Sequence, residues 1–279
     1  MMKVTVKYPG SVGEVLQGRY KGNAVLFSCP INLYTEVTIS ESKVDEIGRF
    51  NKHSKAQRFM KNLLNEWGYT NLQLDISINS SIPQGKGFAS STADLCGTYL
   101  ALLRITGREY NEDELIENCL KIEPTDSIIF KKATIFDYRK GKFKEILGDY
   151  LKFTILCFVG EKTVDTVSFN NSTIPKLSNV DDLVEELKEG LANKDLKRIA
   201  NVSTRSIIRN QHRLKYEILE KVLEINNTIG GLGIIGAHSG DMLGIILKNK
   251  KGVEEVNLSD FNIDGYKTAI VETITNSFK

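Results

Sequence analysis

Between Ile78 and Gly97 the chain reads INSSIPQGKGFASSTADLCG. Gly85, Lys86, Gly87 and the hydroxyls of Ser90, Ser91 and Thr92 lie between an alternating apolar stretch and a helical one. Residues of these types suit phosphate. Glycine lets a backbone bend and approach a ligand closely. The first amides of a helix have no partners inside it, so an anion is favoured there. A Walker A loop requires G-x-x-x-x-G-K-[ST]. Gly85 and Lys86 supply part of it, but residue 80 is Ser and Gly87 stands where the hydroxyl belongs. A dinucleotide fingerprint, G-x-G-x-x-G/A, fails at Ser90. The acid about 20 residues further on, Glu109, opens a helix where that design needs a strand. A strand–glycine loop–helix cradle of a third kind remains.

Three other stretches concentrate polar chemistry. In KIEPTDS, Lys121 to Ser127, Pro124 breaks a helix, and Thr125 or Asp126 is placed to N-cap the next helical turn. Glu117 and Glu123 lie just before it. Near the N-terminus, YPGSVGEVLQG sets Ser11, Glu14 and Gln17 among apolar residues. Near the C-terminus, IGAHSGDMLGIIL holds His238 and Ser239 in a glycine turn, where a single histidine reads as a hydrogen-bonding lining residue. Cys29, Cys96, Cys119 and Cys157 are far apart with no C-x-x-C pair, and His53, His212 and His238 are equally scattered. Zinc and iron–sulfur ligation are not expected, and the thiols suit a reducing, cytoplasmic setting.

PQGKGFASSTAD resembles the phosphate loop P-x-G-x-G-x-G-S-S-A of the GHMP small-molecule kinases, among them galactokinase, homoserine kinase and mevalonate kinase. Pro83, Gly85, Gly87, Ser90 and Ser91 fall in register, and Ala89 replaces the third glycine. YPGSVGEVLQG resembles the family's first motif. IGAHSGDMLGIIL resembles its third, G-A-x-x-G-G, with Gly236, Ala237 and Gly240 matching and Asp241 in place of the last glycine. Together, PGSVGEVLQG, SCPIN, GKGFASSTAD, EPTDS and VDTVSFN resemble the branch of the family that phosphorylates L-threonine in cobalamin assembly. No role is assigned to Asp165 and Asn170 of VDTVSFN beyond pocket lining.

The resemblance implies a two-domain α+β fold. Its N-terminal part would be ribosomal-S5-domain-2-like and its C-terminal part ferredoxin-like. It implies ATP and Mg²⁺ as cofactors. Pro83, Gly85, Lys86, Gly87, Phe88, Ala89, Ser90, Ser91 and Thr92 would surround the nucleotide, with Ser90 or Thr92 also read as a helix cap. Ser91 and Glu123 would hold the metal, with Glu117 an alternative to Glu123, and Asp94 would stand behind them. Asp126 would accept or orient the acceptor hydroxyl, and Lys86 would add charge beside the phosphates. Ser11, Gly13, Glu14, Gln17, His238, Ser239 and Gly240 would line the substrate pocket. Within the family, homoserine or serine are the rival acceptors. A non-catalytic ATP-binding regulatory protein is the rival from another class, and Ser91, Glu123 and Asp126 together argue against it.

The elements that must position these residues are partly legible. KVTVKY, AVLFSCPINLYTEVTIS and LQLDISINS alternate as strands, with Gly10, Gly13, Gly18 and Gly22 as turn punctuation. Helices are predicted over 52–67, 92–107, 111–122, 181–193, 195–213 and 216–230, with Asn111 an N-cap and Gly68 and Gly107 closing two of them. LKFTILCFVG opens a second unit, so a boundary is set near 150, between a nucleotide-binding domain (1–150) and a C-terminal domain (151–279). GLGIIGAHSGDMLGIILKN reads as strand, turn and apolar segment, and GYKTAIVETIT as a closing strand. With 41% hydrophobic and 26% charged residues, the 279-residue chain can bury a core. A net charge of +2 argues against a dedicated nucleic-acid binder, and KNKK at 248–251 reads as a solvated turn. No stretch has the ~18 apolar residues of a membrane helix. The expected partners are therefore small molecules, neither nucleic acid nor membrane, with a homodimer left open.

Overall fold

A computed structural model describes residues 2–42, 54–162, 175–238, 240–251 and 261–275. The fold is α+β, built on three antiparallel sheets. The first holds β1 (Lys3–Ser11), β4 (Pro30–Glu41) and β5 (Leu74–Ser80) in the order β1-β4-β5. The second holds β2 (Leu16–Tyr20), β3 (Asn23–Phe27), β6 (Ala133–Asp137) and β7 (Lys144–Gly148) in chain order. The third holds β8 (Thr154–Gly160), β9 (Gly233–Gly236), β10 (Met242–Leu247) and β11 (Tyr266–Glu272) in the order β11-β8-β10-β9. β8 and β10 are nearly continuous apolar runs because both of their faces are covered.

α1 (Ser54–Glu66) lays Phe59, Leu63 and Leu64 into the core, and Gly68 follows it with positive φ. α2 (Ser90–Thr106) is buried along most of its length against β1 and β4. Gly97 sits there because a Cβ would lie 2.7 Å from a methyl of Val37. α3 (Glu112–Leu120) begins at Asn111, whose side chain accepts from the amides of Asp113 and Glu114, and three acids in its first turn suit the helix dipole. α4 (Asp181–Ala192) and α5 (Leu196–Arg209) pack on each other, α5 also on β9, and α6 (Leu219–Thr228) packs on β9 and β10.

Three elements differ from the sequence expectation. Gly10 and Gly18 are not turns but lie inside β1 and β2. Each is glycine because another chain segment comes close: a Cβ on Gly10 would be 2.7 Å from the Phe88 carbonyl, and one on Gly18 would be 2.3 Å from Val180. Gly13 and Gly22 do have positive φ. The sequence expectation leaves out strands β6 and β7; β6 pairs with the distant β3 and is wholly buried. α2 starts at Ser90 and not Thr92, behind Ala89 at φ 51°, and no side chain caps it, so neither Ser90 nor Thr92 is its N-cap.

The three glycine-bearing motifs meet at one place. The Ser11 amide donates to the Phe88 carbonyl (3.0 Å), the Gly13 amide to Gly87 (2.9 Å) and the Glu14 amide to Gly236 (3.1 Å). Gly87 has φ +89°, and a Cβ there would stand 2.0 Å from the Cβ of Ala237. A Cβ on Gly13 would be 2.6 Å from the Gly236 carbonyl group, and one on Gly240 would be 2.5 Å from the Lys86 carbonyl. Gly87→Ala should therefore lower the melting temperature by several degrees, at roughly 2–4 °C per kcal/mol for a chain of about this size. Adding Ala237→Gly should restore part of the loss by removing the facing methyl. An unshifted melt for the single variant would refute this reading of the contact.

Candidate active site

The phosphate loop is bent by Gly85 and Gly87, both at positive φ, and Phe88 is buried beneath it. The first bond of α2 runs from the Ala93 amide to the Ala89 carbonyl, so the amides of Ser90, Ser91 and Thr92 precede its ladder. With no side-chain cap, this end of α2 suits an anion. Lys86 lies in the same loop, and its ammonium donates to the carbonyls of Glu161 (2.5 Å) and Lys162 (2.8 Å), where the chain leaves β8. Asp241 holds that exit from the other side. Its carbonyl accepts from the Gly160 amide at 2.8 Å, and its carboxylate accepts from the Lys162 amide at 2.9 Å and the Tyr266 hydroxyl at 3.1 Å. The departure from glycine at 241 thus has a partner in Gly160, whose missing Cβ leaves room for this carboxylate.

Asp126 is buried beside the loop. Its amide donates to the Thr92 hydroxyl (3.1 Å), which ties the Asp126 turn to the first turn of α2. Its carboxylate accepts from the Ile128 amide (3.0 Å), Ser28 (3.0 Å) and Ser11 (3.4 Å), so it also caps a short 3₁₀ turn, Ser127–Ile129. Burial raises its pKa to about 7. The nearby Glu14 carboxylate adds to the shift, while the Ile128, Ser28 and Ser11 hydrogen bonds oppose it. Glu14 itself accepts from the His238 amide (2.8 Å) and faces His238 Nδ1 at 3.1 Å. The Gln17 backbone is fixed by Ser206, which accepts from its amide, and by Asn210, which donates to its carbonyl.

Glu123 is buried, and Lys55 of α1 places its ammonium 2.7 Å from one of its carboxylate oxygens. The other oxygen is buried with no hydrogen-bond partner among the described residues. Asp94 accepts from Thr35 at 2.6 Å, and burial raises its pKa to about 6. Magnesium takes hard oxygen ligands and fills most of its shell from phosphates and water. A free carboxylate oxygen on Glu123 and the Ser91 hydroxyl are donors of that kind.

The structure brings together Ser11, Gly13, Glu14, Gly87, Phe88, Thr92, Asp126, His238 and Gly240. Ser239 and the VDTVSFN stretch lie outside the described residues. Residues that the sequence did not single out are Ser28, Lys55, Tyr138, Arg139, Arg213 and Tyr216. Ser28 belongs to the SCPIN stretch, which offered a signal without a role. The others carry none, since their neighbours are set by the fold.

The three glycine motifs thus converge on a loop whose helix N-terminus suits an anion. Residues 54–131 match the N-terminal domain of the GHMP kinases. The chain is 29% identical to an L-threonine kinase of Citrobacter freundii over 89% of this chain and 88% of that protein. It is 26% identical to an L-threonine kinase of Salmonella typhimurium over 87% and 82% of the two. A homoserine kinase structure from Cytophaga hutchinsonii superposes with a TM-score of 0.74 at 15% identity, covering 99% of this chain and 96% of that one. Residues 54–131 thus match a GHMP kinase N-terminal domain, and over most of its length the chain is similar to kinases. Among the described residues no helix is long and apolar enough to cross a membrane.

The Asp126 carboxyl is neutral in both folded and unfolded chains below its ordinary value of 3.8. Above that, the unfolded chain ionises first, so stability falls as pH rises towards about 7 and stays lower beyond it. Asp126→Asn, which cannot ionise, should melt above the wild type at pH 8, with the gap shrinking towards pH 4. A variant that melts below the wild type at pH 8 would contradict the burial penalty.

Proposed function

We propose that this protein transfers the γ-phosphoryl group of ATP to the side-chain hydroxyl of L-threonine, giving ADP and O-phospho-L-threonine for cobalamin assembly. The observation that carries the reading is Asp126, a buried carboxylate with a pKa of about 7 held by Ser11 and Ser28 at the meeting of the three glycine motifs. The likeness to L-threonine kinases over most of the chain supports threonine as the acceptor. Residues 1–150 serve as the nucleotide-binding part and 151–279 as the C-terminal part, with the acceptor between them.

Phosphoryl transfer depends mainly on positioning and on neutralising charge. The amides from Gly85 to Ser91 hold the phosphates, and Lys86 lends charge beside them. Ser91 and Glu123 would hold Mg²⁺, which neutralises phosphate charge when bound. Asp126 orients the threonine hydroxyl and takes its proton, and Glu14 pairs with the substrate ammonium.

In an assay of ADP release, L-threonine should give a higher kcat/KM than L-serine, L-homoserine or mevalonate. Its margin over serine should be modest, because one methyl is worth only ~1–3 kcal/mol in an apolar pocket. Highest turnover with homoserine or mevalonate would replace the acceptor, and turnover with none of the four would overturn the reading. The rate should fall as pH drops below about 7, where Asp126 becomes protonated. Asp126→Asn should lose about 10²-fold or more in kcat; near-normal kcat would remove Asp126 from the proton path. Ser91→Ala should reduce magnesium-dependent turnover while leaving the melting temperature close to wild type.

A further inference from the structure

A small cavity of about 10 Å³, room for roughly one water-sized group, lies behind the Glu14–His238 pair and is lined by Gln17, Asn210, Arg213, Tyr216 and His238 among others. Two of its lining residues carry buried polar atoms with no hydrogen-bond partner among the described residues, the Tyr216 hydroxyl and His238 Nε2. Both residues are more than nine-tenths buried. Native proteins seldom leave such atoms unpaired, so two of them in one cavity mark a place for a polar visitor. Arg213 brings a formal positive charge to the lining. It is half-buried, burial lowers its pKa, and it stands near Tyr138 and Arg139. Its guanidinium also donates to the Pro175 carbonyl, a neutral ligand that leaves its charge uncancelled.

We infer that this cavity, beside His238, is a carboxylate subsite formed by Arg213 and Tyr216, which binds the α-carboxylate of the amino-acid acceptor. The inference deepens the proposed function and rests on it. A guanidinium and a hydroxyl are donors suited to a carboxylate. A single-oxygen cavity takes one carboxylate oxygen and leaves the rest of the substrate outside. The three polar groups of threonine then find three different partners: the hydroxyl at Asp126, the ammonium at Glu14 and the carboxylate at Arg213 and Tyr216. Arg139 is outside this set, since its guanidinium already donates to the Tyr138 hydroxyl.

The test compares L-threonine with L-threoninol, which keeps the hydroxyl and the amine but has no carboxylate. The wild-type protein should show a KM for threonine about 10–100-fold below that for threoninol, the range expected for loss of a charge-assisted contact. Arg213→Met should raise the threonine KM until the two substrates differ by less than about three-fold, with little change in kcat or in the KM for ATP. Arg213→Lys should retain part of the preference. Tyr216→Phe, which removes one oxygen, should narrow the gap by several-fold and serves as the deciding variant if Arg213→Met does not fold. A wild-type protein that does not discriminate, or folded variants that keep the full preference, would overturn the subsite and leave the kinase reading standing. Failure to phosphorylate any hydroxy amino acid would overturn both.

Discussion

The close approach of three backbones at Gly13, Gly87 and the Gly236–Gly240 turn is the constraint on which the rest of the molecule depends. A single methyl at Gly87 would meet Ala237 at 2.0 Å. Every catalytic candidate is hung from this junction. Glu14 and His238 face each other because the Glu14 amide is bonded to Gly236. Asp126 is fixed because its amide reaches Thr92 in the helix that the loop opens. The contacts join the first strand, the middle of the chain and the last sheet. Such a site forms only when most of the chain has folded, since contacts of large sequence separation carry the cost of closing long loops first.

Charge is distributed around the junction at some expense to stability. Asp126 and Glu14 are buried carboxylates close enough for one to raise the pKa of the other. Glu123 is buried with a lysine on one oxygen and, among the described residues, no partner on the other. Carboxylates in this condition are uncommon in a core and are concentrated where function requires them. The structure offsets the burden locally. Ser11, Ser28 and the Ile128 amide donate to Asp126, and His238 answers Glu14. The arrangement leaves Asp126 near the neutral range, where a group can both hold and release a proton.

How much of the fold and site is legible in the sequence depends on how local each signal is. The helices of 54–66, 90–106 and 112–120 announce themselves by apolar spacing and closing residues, because both act within one element. The glycine loop before the second helix is legible because its glycines and the helix start that follows act within one short stretch. Gly10 and Gly18 look like turns in the sequence because the reason for each lies across the chain, in Phe88 and Val180. Thr92 looks like a cap because its partner, the Asp126 amide, is 34 residues away. Lys55, Arg213 and Tyr216 carry no motif at all; only folding brings them to Glu123 and to the cavity beside His238.

Lys86 shows how one residue type can serve a phosphate loop in more than one way. In a Walker A loop the lysine is free to follow the phosphates. Here its ammonium is fixed by two carbonyls of the chain leaving β8, and Asp241 grips the amides of the same stretch. Carbonyl ligands orient an ammonium without cancelling its charge, as a carboxylate would. The loop therefore carries a positive charge whose position is set by the fold. A charge that need not reorganise is the kind that meets a developing negative charge at least cost. The replacement of glycine by Asp241 belongs to the same device, since that carboxylate occupies the space left open at Gly160 and holds the strand exit that anchors Lys86.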